Sequence, residues 1–168
     1  MNTDKKNIPR WYALYTRPRF EKKVDELLSE KGLESYLPLQ MVLRQWSDRK
    51  EKVKEPLFSC YVFVKLPLRQ SVLAVQTHGV IRMVSFTGNP SPIPGEEIEA
   101  IKAILKSERP FKMAQYLQEG QFVEVVHGPL TGVCGRLLEH RGRGKLLVGI
   151  EQIKQAISVE IEGCEVKP

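Results

Sequence analysis

Residues 11–28 read Trp11-Tyr12-Ala13-Leu14-Tyr15-Thr16-Arg17-Pro18-Arg19-Phe20-Glu21-Lys22-Lys23-Val24-Asp25-Glu26-Leu27-Leu28, and the apolar period changes part-way along them. The first six residues form an apolar and aromatic run of strand length. Phe20, Val24, Leu27 and Leu28 then recur among charged residues as one stripe of an amphipathic helix. Pro18 suits the first turn of that helix, and Gly32 suits its C-terminal stop. Downstream, residues 36–43, 57–66 and 80–86 predict three further strands. A short helix carrying Val72 and Val75 is expected after Pro67. Gly95 precedes Ile98, Ile101, Ile104 and Leu105 on a last helix, acidic at its start and with Lys106 at its end, as the helix dipole favours. The order β-α-β-β-α-β-α contains the split βαβ of a ferredoxin-like α/β sandwich, in which helices cover one face of an antiparallel sheet. Residues 44–56 carry too much charge for a core and read as a solvated hairpin tip or loop.

Residues 107–118 contain Pro110 and little regular pattern, so they read as a tether, and past them the helical period disappears. Short strands are expected at 122–126, 133–138, 145–150 and 156–161, with a last pairing near Val166. Turn signals separate them at Gly128-Pro129, Arg141-Gly142-Arg143-Gly144 and Glu162-Gly163. This density of short strands predicts a small SH3-like β-barrel. The chain is thus expected to be α+β, with a disordered tail at 1–9, an α/β sandwich at 10–108, a linker at 109–118 and a barrel at 119–168.

Composition narrows the function. With 42% hydrophobic and 27% charged residues in 168, the chain is globular in character, and no apolar run approaches the ~20 residues of a membrane span. The polar opening lacks the apolar stretch of a secretory signal. Cys60, Cys134 and Cys164 are odd in number and far apart, which supports neither a disulfide framework nor a zinc site and fits a cytoplasmic location. Phosphate-loop, metalloprotease and serine-hydrolase motifs are absent. His78, His127 and His140 stand beside no acid or nucleophile pattern, and Cys60 and Cys134 read as small buried hydrophobes. Catalytic residues, metal ligands and cofactors are therefore not expected. The net charge of +6 falls almost wholly in residues 1–108, which carry +5. That bias suits a polyanionic partner without requiring one.

Binding leaves a stronger trace. Trp11, Tyr12, Tyr15, Phe58, Tyr61 and Phe63 crowd two strands. Alternation places Tyr61 and Phe63 on one face and Phe58 on the other. A one-sided sheet needs a single apolar face, so surplus rings make an exposed protein-binding patch, unless all six are core. Arg17, Arg19, Lys22 and Lys23 form a basic group at the helix entrance, either a solvated face or a phosphate site.

Trp11-Tyr12-Ala13-Leu14-Tyr15-Thr16, then Phe20-Glu21-Lys22-Lys23-Val24, resemble the opening of the NusG N-terminal (NGN) domain. Pro56-Leu57-Phe58-Ser59-Cys60-Tyr61-Val62-Phe63-Val64 resembles that family's most recognisable strand, with Ser59-Cys60 where Pro-Gly is usual. Gly79-Val80 through Phe86, Pro92-Ile93-Pro94 and Glu96-Glu97-Ile98 continue the resemblance in order, and Gly120 through Gly135 is similar to the KOW motif, with Gly128, Pro129, Gly132 and Gly135 at its turn. Leu37-Pro38-Leu39 and residues 44–50 are similar to the specialised paralogues, the RfaH and especially UpxY antiterminators of surface polysaccharide operons.

The resemblance implies a monomeric transcription elongation and antitermination factor that makes no use of a membrane. Tyr15, Phe58, Tyr61 and Phe63 would meet the clamp helices of the RNA polymerase largest subunit. Arg17, Arg19, Arg69, Gln70, Ser71 and His78 would meet the non-template DNA strand. The KOW domain would recruit ribosomal protein S10 or Rho. A general NusG acting with Rho and a ribosome-associated or RNA-binding KOW protein are the alternative readings. The Val, Ile and Gly content of the last segment predicts a stable barrel rather than the helical hairpin that RfaH can form.

Overall fold

The computed structural model describes residues 6–140 and 143–168. The first five residues of the expected tail, and Arg141-Gly142 of the expected basic turn, lie outside them. Two compact units meet in the chain between Pro92 and Ile93.

The leading unit runs β1 (Arg10–Thr16), α1 (Glu21–Glu30), β2 (Glu34–Tyr36), β3 (Leu39–Gln45), β4 (Lys50–Pro56), β5 (Tyr61–Leu66), a 3-10 turn (Leu68–Gln70), α2 (Ser71–Val75), β6 (Val80–Met83), β7 (Ser85–Phe86) and β8 (Asn89–Pro90). Its main sheet has the antiparallel order β2-β5-β1-β6. Tyr12 and Leu14 of β1 and Val62, Val64 and Leu66 of β5 pack with Val24 and Leu28 of α1 and Ala74 of α2. Trp11, Ala13 and Phe63, which alternate with them, are buried as well. Both faces of the sheet are therefore covered, where one was expected to stand free.

The helix stripe is as expected, but Pro18 precedes the helix instead of entering it, because Arg19 takes a left-handed φ of 67°. At the other end Gly32 has a φ of 76°, its N–H donates to the Ser29 carbonyl and that of Leu33 to the Leu28 carbonyl. Leu28 and Leu33 both join the core, completing the C-terminal cap.

Three expected strands are shorter or divided. Residues 36–43 split at Leu37-Pro38, because Pro38 has no N–H to continue a ladder. β3 then leaves the main sheet and pairs with β4 as a separate ribbon, in register from Leu39 opposite Pro56 to Gln45 opposite Lys50. Most of the charged run expected as loop is thus strand, and residues 46–49 form its tip. The strand expected at 57–66 begins only at Tyr61, after a turn in which Cys60 has a φ of 67°. The strand expected at 80–86 breaks at Val84, after which β7 and β8 pair around Thr87-Gly88, both left-handed.

The Cys60 turn is held by Glu21. This buried carboxylate accepts the Cys60 N–H at 2.7 Å, and the Cys60 carbonyl accepts the Thr16 N–H at 2.8 Å. A left-handed non-glycine residue costs about 1–2 kcal/mol, partly offset by the lower chain entropy of the unfolded side-chain-bearing residue. Cys60→Gly is therefore expected to raise stability by about 0.5–1 kcal/mol in urea unfolding of the full chain.

The second unit contains α3 (Gly95–Lys106), β9 (Phe111–Gln115), β10 (Gln121–His127), β11 (Cys134–His140), β12 (Arg143–Ile150), β13 (Gln155–Glu160) and β14 (Glu165–Lys167). The antiparallel order is β14-β10-β11-β12-β13-β9. Four strands and the last short pairing fall where expected, and the segment is strand, as its β-branched content requires. The expected tether differs: β9 occupies its middle and pairs with β13 from Phe111 opposite Val159 to Gln115 opposite Gln155. α3 buries Ile98, Ile101 and Ile104 and lies against β11 and β12 of its own unit.

Candidate functional site

At one end of the main sheet, Tyr15 of β1 stands opposite Tyr61 of β5 and Arg82 of β6. Cross-strand register puts the three side chains together. The two phenol rings lie 5.5 Å apart, tilted, and the Arg82 guanidinium sits 5.4 Å from the Tyr15 ring. Both tyrosines are half-buried and Arg82 is exposed. Burial and the neighbouring Tyr15 push the Tyr61 phenol up, with Arg82 opposing. The result is an aromatic platform with a cation over it, wet on one side, of the kind that anchors protein interfaces.

Phe58 and Phe63 do not belong to that platform. They are 1% and 0% exposed and pack edge to face at 6.2 Å. The resemblance implies all four rings at the polymerase interface, but Phe58 and Phe63 are buried in the unit's own core and only Tyr15 and Tyr61 reach the surface. Arg82 was missed, because only the β1–β6 register brings it to Tyr15.

A basic group lies at the β1–α1 turn. The Arg17 N–H donates to the Gly79 carbonyl at 2.8 Å, and the Phe20 ring meets His78 edge-on at 5.5 Å. Gly79 has a φ of 95°, and a Cβ there would fall 2.7 Å from the Phe20 ring, so the approach requires glycine. Arg17, Arg19 and His78 are exposed on these two adjoining turns. Arg69, Gln70 and Ser71 lie at the opposite end of α2 from His78. Lys31 fixes α2 against α1 by donating to the Leu73 carbonyl and the Thr77 hydroxyl at 3.0 and 2.9 Å.

Beside Arg19 opens a cleft of about 760 Å³ between the start of α1 and the β3–β4 ribbon, with Lys22, Arg44, Trp46 and Lys54 on its walls. Lys22 donates to the Lys54 carbonyl at 2.7 Å, and Arg44 grips Glu55 through two bonds of 2.6 and 2.7 Å. That grip holds the Glu55 carboxyl below its ordinary range.

In the second unit the Gly128–Gly132 turn closes on itself. The Gly128 carbonyl accepts the Thr131 hydroxyl at 2.6 Å, and the Gly132 N–H returns to the Val125 carbonyl at 2.8 Å. Gly128 has a φ of 112° and sits against the Gly163 carbonyl; Pro129 is exposed at the tip. Gly135 lies where a Cβ would be 2.7 Å from the Leu147 carbonyl oxygen. These glycines shape the barrel.

Among the described residues no cluster of three or more His, Cys, Asp or Glu side chains could hold a metal ion. Burial pushes the Cys60 and Cys134 thiols up, away from thiolate chemistry. No described helix is long and apolar enough to cross a membrane.

Residues 9–102 match the family model described as "Transcription termination factor nusG". The chain belongs to the NusG family. Among curated relatives, the transcription termination/antitermination protein NusG of Thermus thermophilus is 26% identical over 178 residues, covering 93% of this chain and 96% of the relative. That of Borreliella burgdorferi is 23% identical, covering 90% and 94%. The solved structure reported for domain interaction in Thermotoga maritima NusG shares the fold, with a TM-score of 0.51, 22% identity, and coverage of 95% of this chain and 98% of that one. NusG-family proteins are transcription termination and antitermination factors and not enzymes.

Proposed function

We propose that this NusG-family chain is an operon-specific elongation and antitermination factor of the RfaH/UpxY kind, acting on loci such as those for surface polysaccharides. The leading unit binds the clamp helices of the RNA polymerase largest subunit, and the second unit recruits a further partner, ribosomal protein S10 or Rho. The observation that carries the reading is the half-exposed Tyr15–Tyr61 pair with Arg82 over it. An aromatic anchor next to a cation is the composition that dominates interface energy. A factor held there favours the elongating state of polymerase by population shift and supplies no chemistry of its own. Arg17, Arg19 and His78, with Arg69, Gln70 and Ser71, contact the exposed non-template strand, for which basic and hydrogen-bonding groups are suited.

Tyr61→Ala is expected to weaken capture of RNA polymerase by at least about tenfold, roughly 1.4 kcal/mol, while the chain stays folded. Unchanged capture would remove the patch from the mechanism. The curated relatives match over nine-tenths of the chain and carry the name of the general factor, which favours a second reading as a general NusG acting with Rho. A readthrough assay separates the two: dependence on one leader sequence supports the specialised factor, and uniform action on all templates supports the general one.

A further inference from the structure

Beside the first turn of α3 the second unit has a hollow of about 60 Å³, walled by Tyr116, Leu117, Phe122, Leu147 and Val148, with Glu97 at its side. That space holds about four water molecules, or the four heavy atoms of a guanidinium. Glu97 is half-buried, and its Oε2 is shut from water and accepts no hydrogen bond among the described residues. Turning that oxygen toward a donor in the hollow would break no bond, and it would satisfy a group that is costly to leave unmet. The charged and titratable groups around Glu97 are Glu96 on α3, Tyr116 after β9, Cys134 and Arg136 on β11, and Glu151 and Lys154 past β12. Arg136 is engaged by the Gly120 carbonyl at 3.1 Å, and the Lys154 ammonium lies 3.9 Å from Glu151. Glu96 and Glu97 have no ion pair among the described residues. We propose that this hollow is a socket for an arginine side chain of a protein that docks on the second unit, its guanidinium bonded by Glu97 and lying against the Tyr116 and Phe122 rings.

Charge and shape select that group. Two unmatched carboxylates beside apolar walls call for a cation that tolerates partial loss of water. A guanidinium is more weakly hydrated than an ammonium, stacks flat on an aromatic face and stays charged at any pH at which Glu97 ionises. The Tyr116 ring already draws one cation, with the Lys154 ammonium 5.8 Å from its centre. Phe122 is 59% exposed, so the hollow opens where a docking protein can reach it. An arginine meeting an aromatic pocket is also a pairing that concentrates interface energy. The socket lies wholly in the second unit and uses neither the Tyr15–Tyr61 platform nor the Gly128–Gly132 turn. It goes beyond the recruitment proposed for that unit and does not depend on which partner is recruited.

The test titrates the full chain with three end-capped tripeptides, Gly-Arg-Gly, Gly-Lys-Gly and Gly-citrulline-Gly, citrulline being the uncharged isostere of arginine. Amide NMR signals of Tyr116, Phe122, Leu147 and Val148 report binding. The arginine peptide should shift them saturably, with a dissociation constant on the order of 1–10 mM, and the citrulline peptide should not. Burial, with the Glu151 and Glu96 carboxylates, pushes the Glu97 carboxyl up to about 7, so its ionised fraction rises about tenfold from pH 6 to pH 8. Arginine binding should tighten by about that factor over this range. Glu97→Gln should abolish the gain, leaving binding at pH 8 about tenfold weaker than in the parent. Phe122→Ala, at an exposed position, should weaken binding about two- to fivefold and leave the pH dependence in place. The amide spectrum of each variant confirms that it is folded. Equal shifts from the citrulline peptide, equally tight binding of the lysine peptide, pH-independent binding, an unaffected Glu97→Gln protein, or no shift at these four residues would each overturn the proposal.

Discussion

Replacing Phe63 with alanine is expected to cost the leading unit about 3–5 kcal/mol, the usual range for emptying a buried aromatic site. Phe63 is fully buried in β5, opposite Ala13 of β1 and Tyr36 of β2, with its ring against Phe58. Ala13 is already small, so little nearby bulk can move into the space. A domain's whole margin is about 5–15 kcal/mol, so the variant would approach its unfolding midpoint under mild conditions. Urea unfolding of the full chain, followed by near-ultraviolet circular dichroism, measures the loss.

The contrast with Tyr61 gives the experiment its force. Tyr61 is two residues away on the same face, yet half-exposed at the strand's first position. Its truncation should cost stability by only about 1 kcal/mol and act mainly on partner capture. Both variants would fail in a binding assay, one through the scaffold and one through the surface. Stability separates the routes. A near-native Phe63→Ala protein that no longer captures polymerase would return that ring to the exposed patch.

The same contrast explains what the sequence discloses. α1 is legible because its apolar stripe, its charged faces and Gly32 all agree on one local structure. The barrel strands are legible because β-branched residues alternate between glycine turns. The β3–β4 ribbon is not, since hydropathy detects a strand by the core it covers, and Lys50, Lys52 and Lys54 cover none. β9 is equally hidden: its strand character comes from β13, more than forty residues on. The site follows the same division. Tyr15, Tyr61, Arg17 and His78 stand out by motif, whereas Arg82 joins Tyr15 only through register, and the burial of Phe58 and Phe63 has no local signal.

Glu97 carries the second large effect, and it depends on pH. This residue lies in the first turn of α3, against β11 and β12, beside a small hollow lined by Tyr116, Leu117, Phe122, Leu147 and Val148. Burial first, then the nearby Glu151 carboxylate and Glu96, push its carboxyl up to about 7, while a hydrogen bond with the Glu151 backbone opposes them. Its Oε2 is buried without a hydrogen-bond partner among the described residues. The other titratable or charged groups lining the hollow are Tyr116, Cys134 and Arg136; Arg136 donates to the Gly120 carbonyl at 3.1 Å. Glu151 is itself bonded by Gln118 at 2.9 Å.

Because the folded chain holds this proton more tightly than the unfolded one, the contribution of Glu97 to folding stability falls as pH rises from about 4.5 to about 7 and then levels. Without solvent screening the change would be worth about 3 kcal/mol, and a carboxyl only partly shielded from water should give about 1–2 kcal/mol. Glu97→Gln keeps the shape and removes the charge, so it should flatten that decline, matching the parent at low pH and exceeding its stability by about 1–2 kcal/mol near pH 8. Urea unfolding across this range, with amide exchange on α3, reads the difference. Parallel stability profiles for parent and variant would mean that the α3 carboxylate is solvated and that its charge does not oppose the seating of the helix.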